Sequence, residues 1–333
     1  MNATCEASTS VRLPTRQGLR IRTRGQVSYK RTRWLVPGEG ILIDVAVLLA
    51  LSALLLYGFT QVISKYAVQS VKAVTMVAIN FVVSMPIYIA FLAGTLFIIG
   101  TRDLPLEYLV FGIIGASTAR GGYYLFLEAL EHGPVTMVGS ITAAYPAIIA
   151  LLAVTVLGEE LQALNGLGIS IIIVSMIALF YAHGGSSEGA GFSRGALLLS
   201  VATLLLWGFG GIFIKLSLTG IPLVAYLGLY PFVIPPIALA YLRRKKATKA
   251  VFLPKWTVPV ICAVMVVELW QLGYFAETAA VSKGAAAIVF PIISAYPAVT
   301  IIAAHMFLKE SMSRTDLLLI AAVILGIVLT SIG

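Results

Sequence analysis

The sequence predicts an all-α polytopic membrane protein, ten transmembrane helices arranged as two inverted five-helix repeats. Three observations carry this expectation. Of 333 residues, 59% are hydrophobic and 11% charged, with a mean hydropathy of +0.99, whereas a soluble domain keeps roughly a quarter of its residues charged. From about Ile41 onward the chain is a succession of apolar runs of roughly the 20 residues that a helix needs to cross a hydrocarbon core. Finally, the second half of the chain repeats the first. Soluble enzymes and nucleic-acid binders are excluded despite a net charge of +9, and the strict alternation of a membrane barrel is absent.

Residues 1–40 carry eight Lys/Arg and little apolar content, so they read as a disordered basic arm. The arm does not resemble a signal peptide, because the first apolar run begins late and is too long for one. The expected spans are 41–64, 74–99, 108–131, 134–157 and 161–182, forming a first repeat over 41–182. A Gly/Ser-rich linker at 183–194 follows, and then spans 195–214, 221–242, 257–281, 284–308 and 314–332, within a second repeat over 195–333.

An offset of 150 pairs Tyr57 with Trp207, Gly58 with Gly208, Phe59 with Phe209, Lys65 with Lys215 and Pro86 with Pro236. One residue gained near the loop between spans 2 and 3 moves the offset to 151. There Gly122 pairs with Gly273, Tyr123 with Tyr274, Ala129 with Ala280, Gly133 with Gly284, Tyr145-Pro146-Ala147 with Tyr296-Pro297-Ala298, and Glu159 with Glu310. An odd number of spans per unit turns the second copy upside down in the membrane. Inverted repeats are the architecture of many secondary transporters, whose site lies between the halves near the midplane.

Four segments carry a family likeness: Leu56-Tyr57-Gly58…Lys65, Tyr145-Pro146…Leu157-Gly158-Glu159-Glu160-Leu161, Leu206-Trp207-Gly208…Lys215 and Tyr296-Pro297…Leu308-Lys309-Glu310. In these the chain resembles the EamA-type transporters of the drug/metabolite transporter superfamily, over residues 41–333. Lys309 departs from the pattern's Gly, and Arg120 is an addition to it. The resemblance implies a multi-pass transporter with no cofactor, whose partners are the lipid bilayer and a small-molecule substrate; a homodimer is left open. The expected function is secondary transport of a small metabolite (amino acid, organic anion or related solute) by alternating access, coupled to protons or to exchange, in the plasma membrane. The alternatives are a multidrug exporter of the same fold and an intramembrane enzyme. Against an enzyme, three His without an H-E-x-x-H motif, and Cys5 and Cys262 at unrelated positions, offer no metal or catalytic cluster.

Ionisable residues inside a span cost about 2.5–3.5 kcal/mol each on the insertion scale, so each is a functional candidate. Arg120 in span 3 and Glu268 in span 8 stand near midplane. Gln271 is the repeat mate of Arg120, one turn from Glu268, and the two faces continue through Tyr123 and Tyr124 and through Phe275. These residues, with Asn80 and Tyr230, form the expected binding set; Gln61, Tyr226, Trp270, Glu277 and His305 are secondary, the last two expected to face headgroup water. Arg120 and Glu268 read either as a mutual ion pair joining the repeats, or as a clamp for an anionic group with Glu268 as a proton-coupling counter-charge. Pro86, Pro236, Pro146 and Pro297 read as hinge or packing kinks. Lys65 and Lys215 are expected to snorkel to headgroups, and Glu159 and Glu310 to sit at the starts of the helices that follow them.

Positive-inside counting does not orient the chain. With the arm included, each side carries eleven basic residues; without it, the terminal side carries three. The family resemblance favours termini inside, which places the basic stretch opened by Arg243, Arg244, Lys245 and Lys246 outside.

Overall fold

A computed structural model of the chain describes residues 33–35, 42–68, 71–133, 135–184, 193–248, 251, 256–308 and 313–332. Ten membrane-length segments appear where the apolar runs place them. The first repeat comprises α1 (Val45–Val68), α2 (Ala73–Gly94, extended by a π-helical turn at Thr95–Ile99), α3 (Leu106–His132), a broken span α4–α5 (Val135–Thr142, Tyr145–Thr155) and α6 (Ala163–Gly184). The second comprises α7 (Arg194–Gly220), a broken span α8–α9 (Leu223–Leu227, Tyr230–Arg244), α10 (Val258–Lys283), a broken span α11–α12 (Ala286–Ser294, Tyr296–Leu308) and α13 (Arg314–Ile332). Among the described residues, seven segments are long and apolar enough to cross a membrane on their own. The third is polar in places, and the fourth and fifth have shorter apolar stretches, Tyr145–Thr155 and Ala163–Ala178.

Just ahead of α1, β1 (Arg33–Leu35) pairs antiparallel with β2 (Leu42–Asp44). Residues 33–35, at the end of the expected arm, are therefore a strand rather than disordered chain. The rest of residues 1–40 and nearly all of the 183–194 linker lie outside the described residues. The Asp44 carboxylate accepts from the Ala46 amide at 2.9 Å and so starts α1.

All three breaks fall immediately before a Tyr-Pro dipeptide: Tyr145-Pro146, Tyr230-Pro231 and Tyr296-Pro297. A proline lacks the N–H that an uninterrupted helix needs, but is well placed in a first turn, where that donor has no partner anyway. Each span therefore stops and restarts. The expectation of simple kinks at Pro146 and Pro297 is corrected accordingly, whereas Pro86 and Pro236 do lie inside continuous helices.

The repeats cross over each other. The first span of each packs along the third span of the other, α1 on α10 and α7 on α3, while α6 packs on α13. Each first span also packs on the fourth span of the other repeat, α1 on α12 and α7 on α5, and paired glycines permit this approach. A Cβ at Gly58 would stand 2.5 Å from Val299, and one at its mate Gly208 would stand 2.9 Å from Ile148, which is itself the mate of Val299. Leu48, Leu55, Phe232, Leu318 and Ile324 point outward and are exposed, as a lipid-facing surface requires.

Two sequence-based placements change here. Lys215 lies more than a turn inside α7, because that helix runs on to Gly220. Rather than reaching headgroups, its ammonium is buried and donates to the carbonyls of Val281 (2.8 Å) and Gly284, at the C-terminal end of α10. Glu159 does serve a helix N-terminus, but that of α11 in the other repeat, accepting from the amides of Ala286 and Ala287 at 2.9 Å each. The side chains of Lys65 and Glu310 lie outside the described residues.

Candidate functional site

A narrow cleft, partly open to the outside, lies between the repeats and encloses a cavity of about 60 Å³. Tyr57, Ala119, Tyr123 and Tyr145 line it from the first repeat, and their repeat mates Trp207, Trp270, Tyr274 and Tyr296 line it from the second. Gly210, Gly211, Ile214, Glu277 and Phe290 complete the wall. Tyr145 and Tyr296 restart broken spans, so the breaks border the cleft.

The glycine pair read from the repeat seats two of these rings. A Cβ at Gly122 would stand 2.5 Å from the Trp207 indole nitrogen, and one at Gly273 would stand 2.6 Å from the Tyr57 ring. The Trp207 Nε1–H donates to Ala119 O at 3.2 Å, and the Tyr57 hydroxyl donates to Glu277 Oε2 at 2.8 Å. Glu277 is therefore a buried wall residue, 8% exposed, not a headgroup-facing one as expected. α10 runs on to Lys283, which leaves Glu277 nearly two turns from its end.

Beside the cleft lies a buried polar network. Arg120 donates through Nη1 to Asn80 Oδ1 at 2.9 Å and through Nη2 to the Tyr88 hydroxyl at 3.0 Å and Gln271 Oε1 at 3.4 Å. The Tyr124 hydroxyl donates to Asn80 Oδ1 at 3.2 Å, Asn80 Nδ2 donates to Ser84 Oγ at 3.1 Å, and Gln271 Nε2 donates to the Tyr88 hydroxyl. Tyr230 stacks on Tyr88 with centroids 4.4 Å apart and planes at 10°, and its ring centroid lies 5.4 Å from the Arg120 guanidinium carbon. The hydroxyls of Tyr226 and Tyr274 lie 2.7 Å apart, and that of Tyr230 approaches both.

Five expected residues thus assemble around Arg120 itself: Asn80, Tyr123, Tyr124, Gln271 and Tyr230. The expected pair of Arg120 with Glu268 does not form. Glu268 is half-buried, with its Oε1 shielded and without a hydrogen-bond partner; although one helical turn from Gln271, it is not among the groups that Arg120 meets. Phe275 packs edge-on against Tyr88 and Phe91, at 5.9 Å and 5.4 Å, rather than lining the cleft. Of the expected binding set, Tyr123 alone is a wall residue of the cleft.

Tyr57, Trp207, Tyr145 and Tyr296 were visible in the sequence as repeat markers but were not read as site residues. The signal was the repeat itself: a binding space on a pseudo-two-fold axis is lined by residues that recur in both copies. Among the described residues no group of His, Cys, Asp and Glu could hold a metal ion.

Together, the ten segments, the five-span repeats and the cleft between them define a multi-pass membrane protein of the inverted-repeat type. The chain matches the EamA-like transporter family twice, over residues 44–181 and 194–332. It therefore belongs to that family of membrane transporters, within the drug/metabolite transporter superfamily. A search of curated proteins gave no match. A crystal structure, described only as that of a protein, superposes with a TM-score of 0.67 at 16% identity, covering 86% of this chain and 96% of the other, a likeness of fold.

Proposed function

We propose that the chain is a secondary transporter that carries a small organic solute by alternating access, seating it in the aromatic cleft between the repeats. The observation that carries this reading is the symmetry of the wall. Four positions of the first repeat and their four mates in the second face one space. When one repeat rocks against the other, such a space opens to each side of the membrane in turn.

In this reading the Arg120 network is a cross-brace. It joins α2 and α3 of the first repeat to α10 of the second through neutral acceptors, which can exchange partners at less cost than a buried ion pair. A competing reading, in which Arg120 clamps an anionic group of the solute, draws on its buried Nε, which has no hydrogen-bond partner. The brace predicts that Arg120→Lys lowers stability and turnover at unchanged solute affinity. A clamp predicts a folded variant with strongly reduced affinity.

Location in the plasma membrane with both termini inside is proposed on the family resemblance. Uptake of labelled amino acids, organic acids and amines into proteoliposomes tests the transport reading, with and without a proton gradient and with counter-substrate inside. Accumulation driven by either condition supports it. Chemical conversion of a compound without its translocation would favour an intramembrane enzyme instead.

A further inference from the structure

The cleft's wall is mostly aromatic, with small or aliphatic residues between the rings and a single carboxylate. Glu277 is its one ionisable acid, and neither Lys nor Arg lines it. We propose that the cleft takes the ammonium group of an organic cation, held between the Glu277 carboxylate and the ring faces of Tyr57, Trp207 and Trp270. The proposal rests on the reading of the cleft as the solute site and names the chemistry of that solute.

Glu277 is buried, and among the described residues it pairs with no Lys or Arg. Its Oε2 accepts from the neutral Tyr57 hydroxyl, although a carboxylate offers about four acceptor positions. A carboxylate this far from water is costly without a counter-charge, and a cationic solute in the cleft supplies one. The rings around it are tilted rather than stacked flush: Tyr57 and Trp270 lie 4.7 Å apart at 42°, and Trp207 and Trp270 lie 6.1 Å apart at 32°. All three rings line the cleft, and the negative face of an aromatic ring attracts a cation within about 6 Å.

The repeat supplies an independent argument. At an offset of 151 the mate of Glu277 is Phe126, which packs against Trp207 and Trp270 at 5.6 Å and 5.9 Å. The fold fills that position with an apolar ring in one copy, so the carboxylate in the other is not a requirement of packing. Arg120 does not cancel the charge. It engages Gln271, six residues and about 9 Å of helical rise from Glu277, and it stands outside the wall.

Two of the four tryptophans line the cleft, so binding can be read by intrinsic fluorescence. The full chain in lipid nanodiscs is titrated with choline, tetraethylammonium and benzyltrimethylammonium, and with 3,3-dimethylbutan-1-ol, the uncharged isostere of choline. The expected result is a saturable change with at least one ammonium, and affinity for choline about tenfold or more above its isostere. Glu277→Gln keeps an oxygen that accepts from Tyr57; it should remain folded by thermal unfolding and reduce choline to the isostere's affinity, whereas Glu277→Asp should retain the preference. No saturable response to any of the three cations, equal affinity of choline and isostere, or a preference that survives Glu277→Gln overturns the proposal. Should Glu277→Gln fail to fold, the comparison of choline with its isostere in the unmodified chain decides alone. Equal binding of the isostere sinks the ammonium while leaving the cleft as solute site; cation binding to a cleft reachable from only one side of the membrane sinks the transport reading instead.

Discussion

Gly273 holds the ring of Tyr57 so closely that a Cβ at 273 would stand 2.6 Å from its Cε1 atom. The same relation joins Gly122 to Trp207 in the other half of the molecule. Each glycine lies on the third span of one repeat and each ring on the first span of the other. Helix crossing and cleft wall are thus set by one contact, made twice.

Gly273→Ala should therefore destabilise the chain by about 1–3 kcal/mol, the usual cost of overpacking, and Gly122→Ala should do likewise. Thermal unfolding in detergent reads both. Adding Tyr57→Ala to Gly273→Ala should recover part of the loss, because it vacates the space that the new methyl group needs. An unchanged melting temperature for both single variants would show that the helices do not meet this closely.

Arg120 and Glu268 should behave independently. A double-mutant cycle of Arg120→Gln with Glu268→Gln should give a coupling near zero, while Arg120→Gln with Asn80→Ala should give about 1.5–3 kcal/mol, the size of a hydrogen bond to a charged group. Stability rescue of Arg120→Gln by Glu268→Gln would restore the ion pair that the geometry does not contain.

Glu159 ties the two repeats where α11 begins. Glu159→Ala leaves the amides of Ala286 and Ala287 without this acceptor, and should cost about 0.5–2 kcal/mol as the loss of a helix cap does. Hydrogen exchange at those two amides should rise well before exchange in the middle of α10. Uniform exchange across both helices would contradict a local capping role.

Deleting residues 1–32 removes most of the basic arm and spares the strand Arg33–Leu35. Since both family matches lie downstream, transport per correctly inserted molecule should be unchanged, although membrane orientation can shift with the loss of positive charge. Loss of solute binding in a correctly inserted deletion variant would place part of the site in the arm.

Much of this architecture was legible because apolar runs, repeat spacing and span counts depend on local composition, which the bilayer reads directly. The ten segments emerge with ends shifted by a few residues, and Arg120 falls within a buried polar cluster as its position suggested. What escaped depends on partners distant in sequence. Lys215 resembles a snorkelling end residue until α7 is seen to extend beyond it to Gly220, and Glu277 looks peripheral until Tyr57, 220 positions away, closes on it. Tyr230-Pro231 is a third break that the repeat hides, because its mates are Asn80-Phe81 and α2 runs through that point unbroken.

In the proposed transport cycle the cleft faces the two sides of the membrane in turn. Ala119 lines it, so Ala119→Cys, in a chain with Cys5 and Cys262 replaced by Ser, reports its accessibility to a membrane-impermeant maleimide in oriented proteoliposomes. Alternating access predicts labelling from either side and protection from both by a bound solute. Labelling from one side alone, unaffected by any solute that the chain transports, would contradict alternating access through this cleft.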